Sequence, residues 1–270
     1  MRYLIKTFAA LFMVSVVVIA CKKNAKISQS EVPEAVMAKI TSMGFSTDGI
    51  QKVSEGYLVE GDIILRESDL QSAATSPEMV IANEEHYRTT NTVFTGGQRN
   101  LTVAVTTTAP SYFFTAADSA IARYNAENLQ LTFTRITQNG TNNAADINIV
   151  VFYQVSNVLG SSGFPSGGNP YPQVQMNSYW YSASTSIDYM ATIVAHEMGH
   201  CIGYRHTDYM NRKYSCGGRP VNEGNAGVGA IWIPETPTGP DAGSWMLACI
   251  GSGVNRPFTA NDKVALNYLY

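Results

Sequence analysis

Apolar positions change rhythm several times along this chain, and each change marks a unit. Residues 8–20 are an unbroken run of apolar and small side chains behind Arg2 and Lys6. The run falls short of the about 20 residues a bilayer span needs and has the make-up of a signal-peptide core. After Cys21 comes a polar stretch, 22–29. Val32, Ala35, Val36, Ile40 and Met43 then recur at helical spacing, with Ser30 as the expected cap and Gly44 as the stop. Two short strand-like runs follow at 56–59 and 62–65, and between 68 and 95 the pattern dissolves into polar residues. That loss of pattern places the boundary of a small N-terminal region, 30–95.

Beyond it the signals are sharper. Residues 101–105 alternate as a strand, and Thr115 with Asp118 has the spacing of a capping box opening a helix through Tyr124. Strands are expected at 129–136 and 147–153, then a Gly/Pro/Ser-rich stretch at 159–172 and an edge strand at 173–176. Thr185 and Asp188 form another capping box. Behind it Ile187, Met190, Ala191, Val194, Ala195, Met198 and Ile202 line one face of a helix running to about Gly203. Thr259 and Asp262 open a closing helix in the same way. The order of elements predicts an α+β domain over 96–270, a twisted mixed sheet with helices packed on it.

Composition narrows the function. Hydrophobic residues are 45% and charged residues 14% of the 270, which suits a folded core, and a net charge of -3 leaves no basic footprint for nucleic acid. The apolar leader ends in Val18-Ile19-Ala20-Cys21, which resembles the bacterial lipobox. That resemblance implies a signal peptide over 1–20, acylation of Cys21 and a lipidated tether over 21–29. The chain is then expected in the cell envelope, extracytoplasmic and touching the membrane only through its N-terminal lipid. Cys201, Cys216 and Cys249 remain, which predicts one disulfide and one buried thiol, with all three pairings open.

Candidate chemistry sits on the helix ending at Gly203. At about 100° per residue, His196 lies about 180° and His200 about 220° round from Ile187, opposite the apolar stripe. Four residues apart, the two imidazoles stack as neighbours on one face, with Glu197 beside them. Glycine at 203 admits the left-handed turn that ends a helix and brings His206 back to the same point. Three imidazoles and an open position make a catalytic zinc site, with Glu197 as general base. Three of the four histidines of the chain fall in these eleven residues. The fourth, His86, is read as a solvated side chain of the polar boundary.

The stretch His196-Glu197-Met198-Gly199-His200-Cys201-Ile202-Gly203-Tyr204-Arg205-His206 resembles the metzincin zinc peptidases, and more particularly the bacterial HEIGH-type metallopeptidases, with Met198 where Ile is usual. Ser244-Trp245-Met246 matches their methionine turn. The resemblance implies a metzincin-like catalytic domain for 96–270, Zn²⁺ as cofactor, Met246 as an apolar floor beneath the ion, and a protein or peptide substrate cleaved internally. The substrate is expected to pair with the edge strand at 173–176. Some metzincins place a metal-contacting Tyr two residues beyond that Met; here Ala248 stands there, leaving Tyr209 and Tyr214 as substitutes or structural residues. Relatives are commonly latent, so 30–95 is either a propeptide or a permanent accessory unit. With no free upstream cysteine the blocking group would be a carboxylate or simple bulk. Glu60 and Asp62 are the nearest candidates, although an exposed hairpin is the plainer role for both. The competing class is a non-catalytic, zinc-stabilised surface binding module, which would have no need of Glu197.

Overall fold

The computed structural model describes residues 32–43, 45–72, 86–137, 145–223 and 229–270. The leader, Cys21, the Ser30 cap and the Gly44 stop lie outside them.

In the N-terminal region α1 (Glu34–Ser42) follows Pro33, whose fixed φ suits a helix entry. Next come β1 (Gln51–Val53), β2 (Gly56–Val59), β3 (Ile63–Leu65) and the short α2 (Glu67–Ser72). The three strands form an antiparallel meander in the order β1-β2-β3. Every residue of β2 and β3 is buried, and the period of two explains how. Tyr57, Val59, Ile63 and Leu65 face Ile40, Met43 and Phe45 in a small core of their own. Leu58 and Ile64, on the opposite face, enter the main core. The meander is therefore sandwiched between its own helix and the rest of the molecule.

The remainder comprises β4 (Tyr87–Arg88), β5 (Arg99–Val105), α3 (Ser111–Asn125), β6 (Leu131–Arg135), β7 (Ile147–Phe152), β8 (Gly160–Ser161), β9 (Gln173–Asn177), a 3-10 turn (Ser178–Trp180), α4 (Ile187–Ile202), α5 (Lys213–Cys216), β10 (Ile231–Trp232) and α6 (Ala260–Leu269). The main sheet has the order β6-β5-β7-β9-β8, parallel except for β8, which runs antiparallel to β9. This is the mixed α+β sheet anticipated. On α3 the small residues Ala116, Ala117 and Ala120 are fully buried, so α3 and α4 approach closely, and Tyr124 donates its hydroxyl to Ala195 O on α4 at 2.7 Å.

Four expectations are corrected. The segment 173–176 is no edge strand: β9 lies between β7 and β8, and the short β8 forms the rim. The boundary at 95 falls inside the catalytic unit, because β4 pairs with β10, Thr89 N donates to Gly203 O, and Val93 joins the main core. The end of the polar stretch misled because the backbone of Tyr87, Arg88 and Thr89 pairs with residues far away in sequence. Helix α3 begins at Ser111 behind Pro110, and Thr115 bonds back to Ser111 O from within it. Ser186 caps α4 by accepting from Tyr189 N, while Thr185 Oγ1 accepts from Ser182 N in the preceding turn. The capping box of Thr259 and Asp262 is present at α6.

Candidate metal centre

Helix α4 is buried on every side from Tyr189 to Ile202, so the histidine face is covered rather than open to solvent. Its end is fixed at Gly203, whose φ of 112° lies in the left-handed region. A Cβ there would also stand 3.1 Å from Thr89 Oγ1 and 3.2 Å from Asn91 O. Gly203 N and Tyr204 N both bond to Gly199 O, and the chain then reverses. Arg205 N donates to Tyr87 O and Thr207 N to Met246 O. These two anchors hold His206 between them, facing α4.

The three imidazole Nε2 atoms converge. His200 Nε2 lies 3.1 Å from those of both His196 and His206, which are 3.3 Å from each other. A tetrahedral zinc with bonds of about 2.0–2.1 Å sets neighbouring ligand nitrogens about 3.3 Å apart, so the triangle fits the ion. Each opposite nitrogen has an acceptor. His196 Nδ1 donates to Trp245 O at 2.8 Å, His200 Nδ1 to Tyr204 O at 2.8 Å, and His206 Nδ1 to Glu223 Oε1 at 2.5 Å. Donation from Nδ1 selects the tautomer that leaves the Nε2 lone pair free for a metal. Burial, reinforced by the other two imidazoles, pushes His200 well below its ordinary pKa, which favours the neutral, ligating form.

Asp62 brings a fourth donor to the cluster. Its Oδ2 lies 3.0 Å from His206 Nε2 and 3.7 Å from His196 Nε2, and one atom from each of these four residues falls within a 4.8 Å cluster. Asp62 Oδ1 is buried with no hydrogen-bond partner, as befits a carboxylate held for an ion. Burial opposes its ionisation, but the neighbouring His206 and His196, with Arg212 further off, hold its carboxyl well below the usual range. The plainer reading, an exposed hairpin, is thus corrected for both acids: Asp62 and Glu60 are buried. Glu60 Oε1 accepts from Ser46 N and its carbonyl from Arg212 Nη1. The segment that carries them runs along the rim. Ile64 N donates to Ser162 O and Ser162 N to Asp62 O, in a parallel bridge centred on Ile63 and Ser162.

Glu197 follows His196 on α4 and lines the same cavity. Its Oε2 accepts from Ser162 Oγ at 2.8 Å. Gly160 leaves room for it, since a Cβ there would come 3.1 Å from Glu197 Oε1. Burial pushes the Glu197 carboxyl well above its ordinary pKa, and the Asp62 charge pushes the same way.

Met246 is fully buried under α4: a Cβ on Gly199 would meet its Sδ at 2.6 Å. Tyr209 is buried edge-on to Tyr87, and Tyr214 is exposed. Cys216 and Cys249 are bridged, and Cys201 is a buried free thiol. The solvated reading of His86 is wrong. It is 1% exposed, and its Nε2 lies 2.6 Å from Asp262 Oδ1. That same carboxylate accepts from Ser244 Oγ, Trp245 N and Thr259 N, so it ties α6 to the turn whose carbonyl holds His196. Sequence reasoning missed Glu223 altogether, and it saw Asp262 only as a cap. Both act across long sequence distances that no local spacing announces.

Three converging imidazoles, a buried carboxylate alongside and a methionine turn beneath define the centre of a zinc-dependent metallopeptidase. The chain belongs to the family of dual-action HEIGH metallo-peptidases, which it matches over residues 59–270. No curated relative matches. Among solved structures the chain is similar to two of myroilysin. One shares 16% identity over 66% of this chain and 84% of that one, with a TM-score of 0.38. The other shares 18% over 62% and 82%, with a TM-score of 0.36. It is also similar to high choriolytic enzyme 1, a hatching-enzyme zinc protease of the medaka fish Oryzias latipes, at 12% identity over 66% and 92%, with a TM-score of 0.33.

Proposed function

We propose that the protein is an exported, lipid-anchored zinc endopeptidase made in a latent form, with His196, His200 and His206 as metal ligands and Glu197 as general base. The observation that carries the reading is the Nε2 triangle, with Glu197 lining the same cavity as His196. Bound there, zinc supplies a Lewis acid that polarises the scissile carbonyl and acidifies a water. Glu197 takes a proton from the attacking water and returns it to the departing amine. Its raised pKa suits a group that must hold that proton between the two steps. Ser162 orients the carboxylate, and the buried surroundings keep bulk water away from it.

Latency is proposed from the position of Asp62, which stands where water and substrate would have to enter. The region before the catalytic unit is then a propeptide, held on the rim by the bridge at Ser162 and by Arg212. Export and anchoring rest on residues 8–21 and place the enzyme at the bacterial cell envelope.

Glu197→Gln tests the chemistry. Zinc content by elemental analysis should match wild type, while hydrolysis of an unfolded protein should fall by about 10²–10⁴. Near-normal hydrolysis would assign the proton transfer to another group. Fatty-acid labelling of cells should mark the wild-type chain and spare Cys21→Ser; equal labelling of both would remove the anchor.

A further inference from the structure

Beside the histidines lies a cavity bounded on one side by Thr192, Ile193 and Glu197 of α4 and on the other by Leu247, Ile250 and Arg256. Its body is apolar, but Arg256 brings a guanidinium to the wall. Nη1 of Arg256 donates to Cys249 O at 3.0 Å, on the cavity lining, and its backbone N donates to Thr192 Oγ1 at 3.0 Å. Both ends of the residue are therefore fixed. Among the described residues no carboxylate lies within 4.0 Å of this guanidinium, which separates it from Arg212 at the same cavity, whose Nε is 3.3 Å from Glu223 Oε1. Arg256 is half-buried, and burial pushes its pKa down, against the more distant Asp208 and Asp262. A partly desolvated cation without a counter-charge gains most from an anion brought to it.

The segment lying in the cleft points the same way. It presents Glu60 and Asp62 to this cavity. With that segment away, the charged lining consists of Arg212, Arg256 and the catalytic Glu197. A cleft so lined favours an acidic side chain.

We infer that this cavity receives the substrate side chain next to the scissile bond, and that Arg256 makes the enzyme select Asp or Glu there. The inference rests on the peptidase reading above and deepens it. A guanidinium offers two parallel donors to a carboxylate and nothing comparable to an amide. A Glu-containing peptide should therefore be cleaved roughly ten- to a hundredfold more efficiently than its Gln twin, given the strength of hydrogen bonds to charged groups.

The test uses the full chain carrying Asp62→Ala, alone and combined with Arg256→Gln, Arg256→Lys or Arg256→Glu, on a peptide library read by mass spectrometry. Expected is an acidic residue enriched at one position flanking the cut. The enrichment should persist with Lys, collapse with Gln and turn toward basic residues with Glu at 256. Cleavage without acidic enrichment, or enrichment indifferent to residue 256, overturns the inference and leaves the peptidase intact. If no peptide is cut, the failure lies with the peptidase or latency reading, and binding decides the subsite. N-acetylglutamate amide should then bind the Asp62→Ala chain more tightly than N-acetylglutamine amide by NMR titration, and lose that advantage with Arg256→Gln. Equal binding of the two amides overturns the inference.

Discussion

At the scale of single residues, Glu223 shows how much of a metal centre lies behind the atoms that face the ion. It is wholly buried, accepts from His206 Nδ1, and lies 3.3 Å from Arg212 Nε and 3.4 Å from Arg205 Nη2. The carboxylate thus holds one imidazole in its tautomer while two guanidiniums keep it ionised. Despite its burial, its carboxyl sits below the ordinary pKa because His206, Arg212 and Arg205 favour the charge. Glu223→Gln keeps the shape and loses the charge, so zinc affinity should drop about 10–100-fold in a chelator competition. The cobalt-substituted spectrum should change with it, which a merely structural role would not produce. Glu223 was invisible in the sequence because nothing about Val221-Asn222-Glu223 marks it as a partner of residue 206. The clustering of the histidines was legible because helix geometry alone sets two of them side by side.

Among elements, the turn after α4 carries the greatest constraint. Two conditions meet at Gly203: a backbone angle that L-residues adopt at a cost of about 1–2 kcal/mol, and neighbours at Thr89 and Asn91 that leave little space for a methyl. Gly203→Ala should lower unfolding stability by at least that amount and weaken zinc binding, since His206 follows the turn. Denaturant titration with and without zinc measures both effects, and an unchanged midpoint would contradict the account. Elements built from local signals, such as α4 and the capped α6, could be read in advance to within a residue or two. The edge strand was misplaced for a physical reason. A two-residue rim strand, β8, has no periodicity to detect, yet its backbone covers β9. The run at 86–95 looked structureless for a similar reason: its order comes from pairing with residues beyond 200.

For the whole molecule, the N-terminal meander packs on the main core through Leu58 and Ile64 and on its own helix through its other face, so the proposed latch is a packed layer rather than a dangling arm. Removing only the carboxylate should loosen the plug without abolishing its docking. Asp62→Ala in the full chain should raise peptide hydrolysis several-fold above wild type, with removal of the N-terminal region by limited proteolysis raising it further. Hydrolysis that falls in both cases would make the region a permanent support of the fold instead. The sequence offered Asp62 as a candidate through its place next to Gly61. It could not say that the alternation Leu58, Ile64 against Tyr57, Val59 would bury the segment from both sides.

The carboxylate of Asp262 has one further consequence, and it concerns time. His196 is braced by the Trp245 carbonyl, and that turn is held by Asp262, which also clasps His86 at the opening of the catalytic unit. A nascent chain delivers its ligands long before it delivers this clasp. While residue 262 is still unmade, the histidines have been synthesised but lack their brace. A half-made chain therefore has an unbraced metal centre, and the order of synthesis makes that brace one of the last parts to arrive.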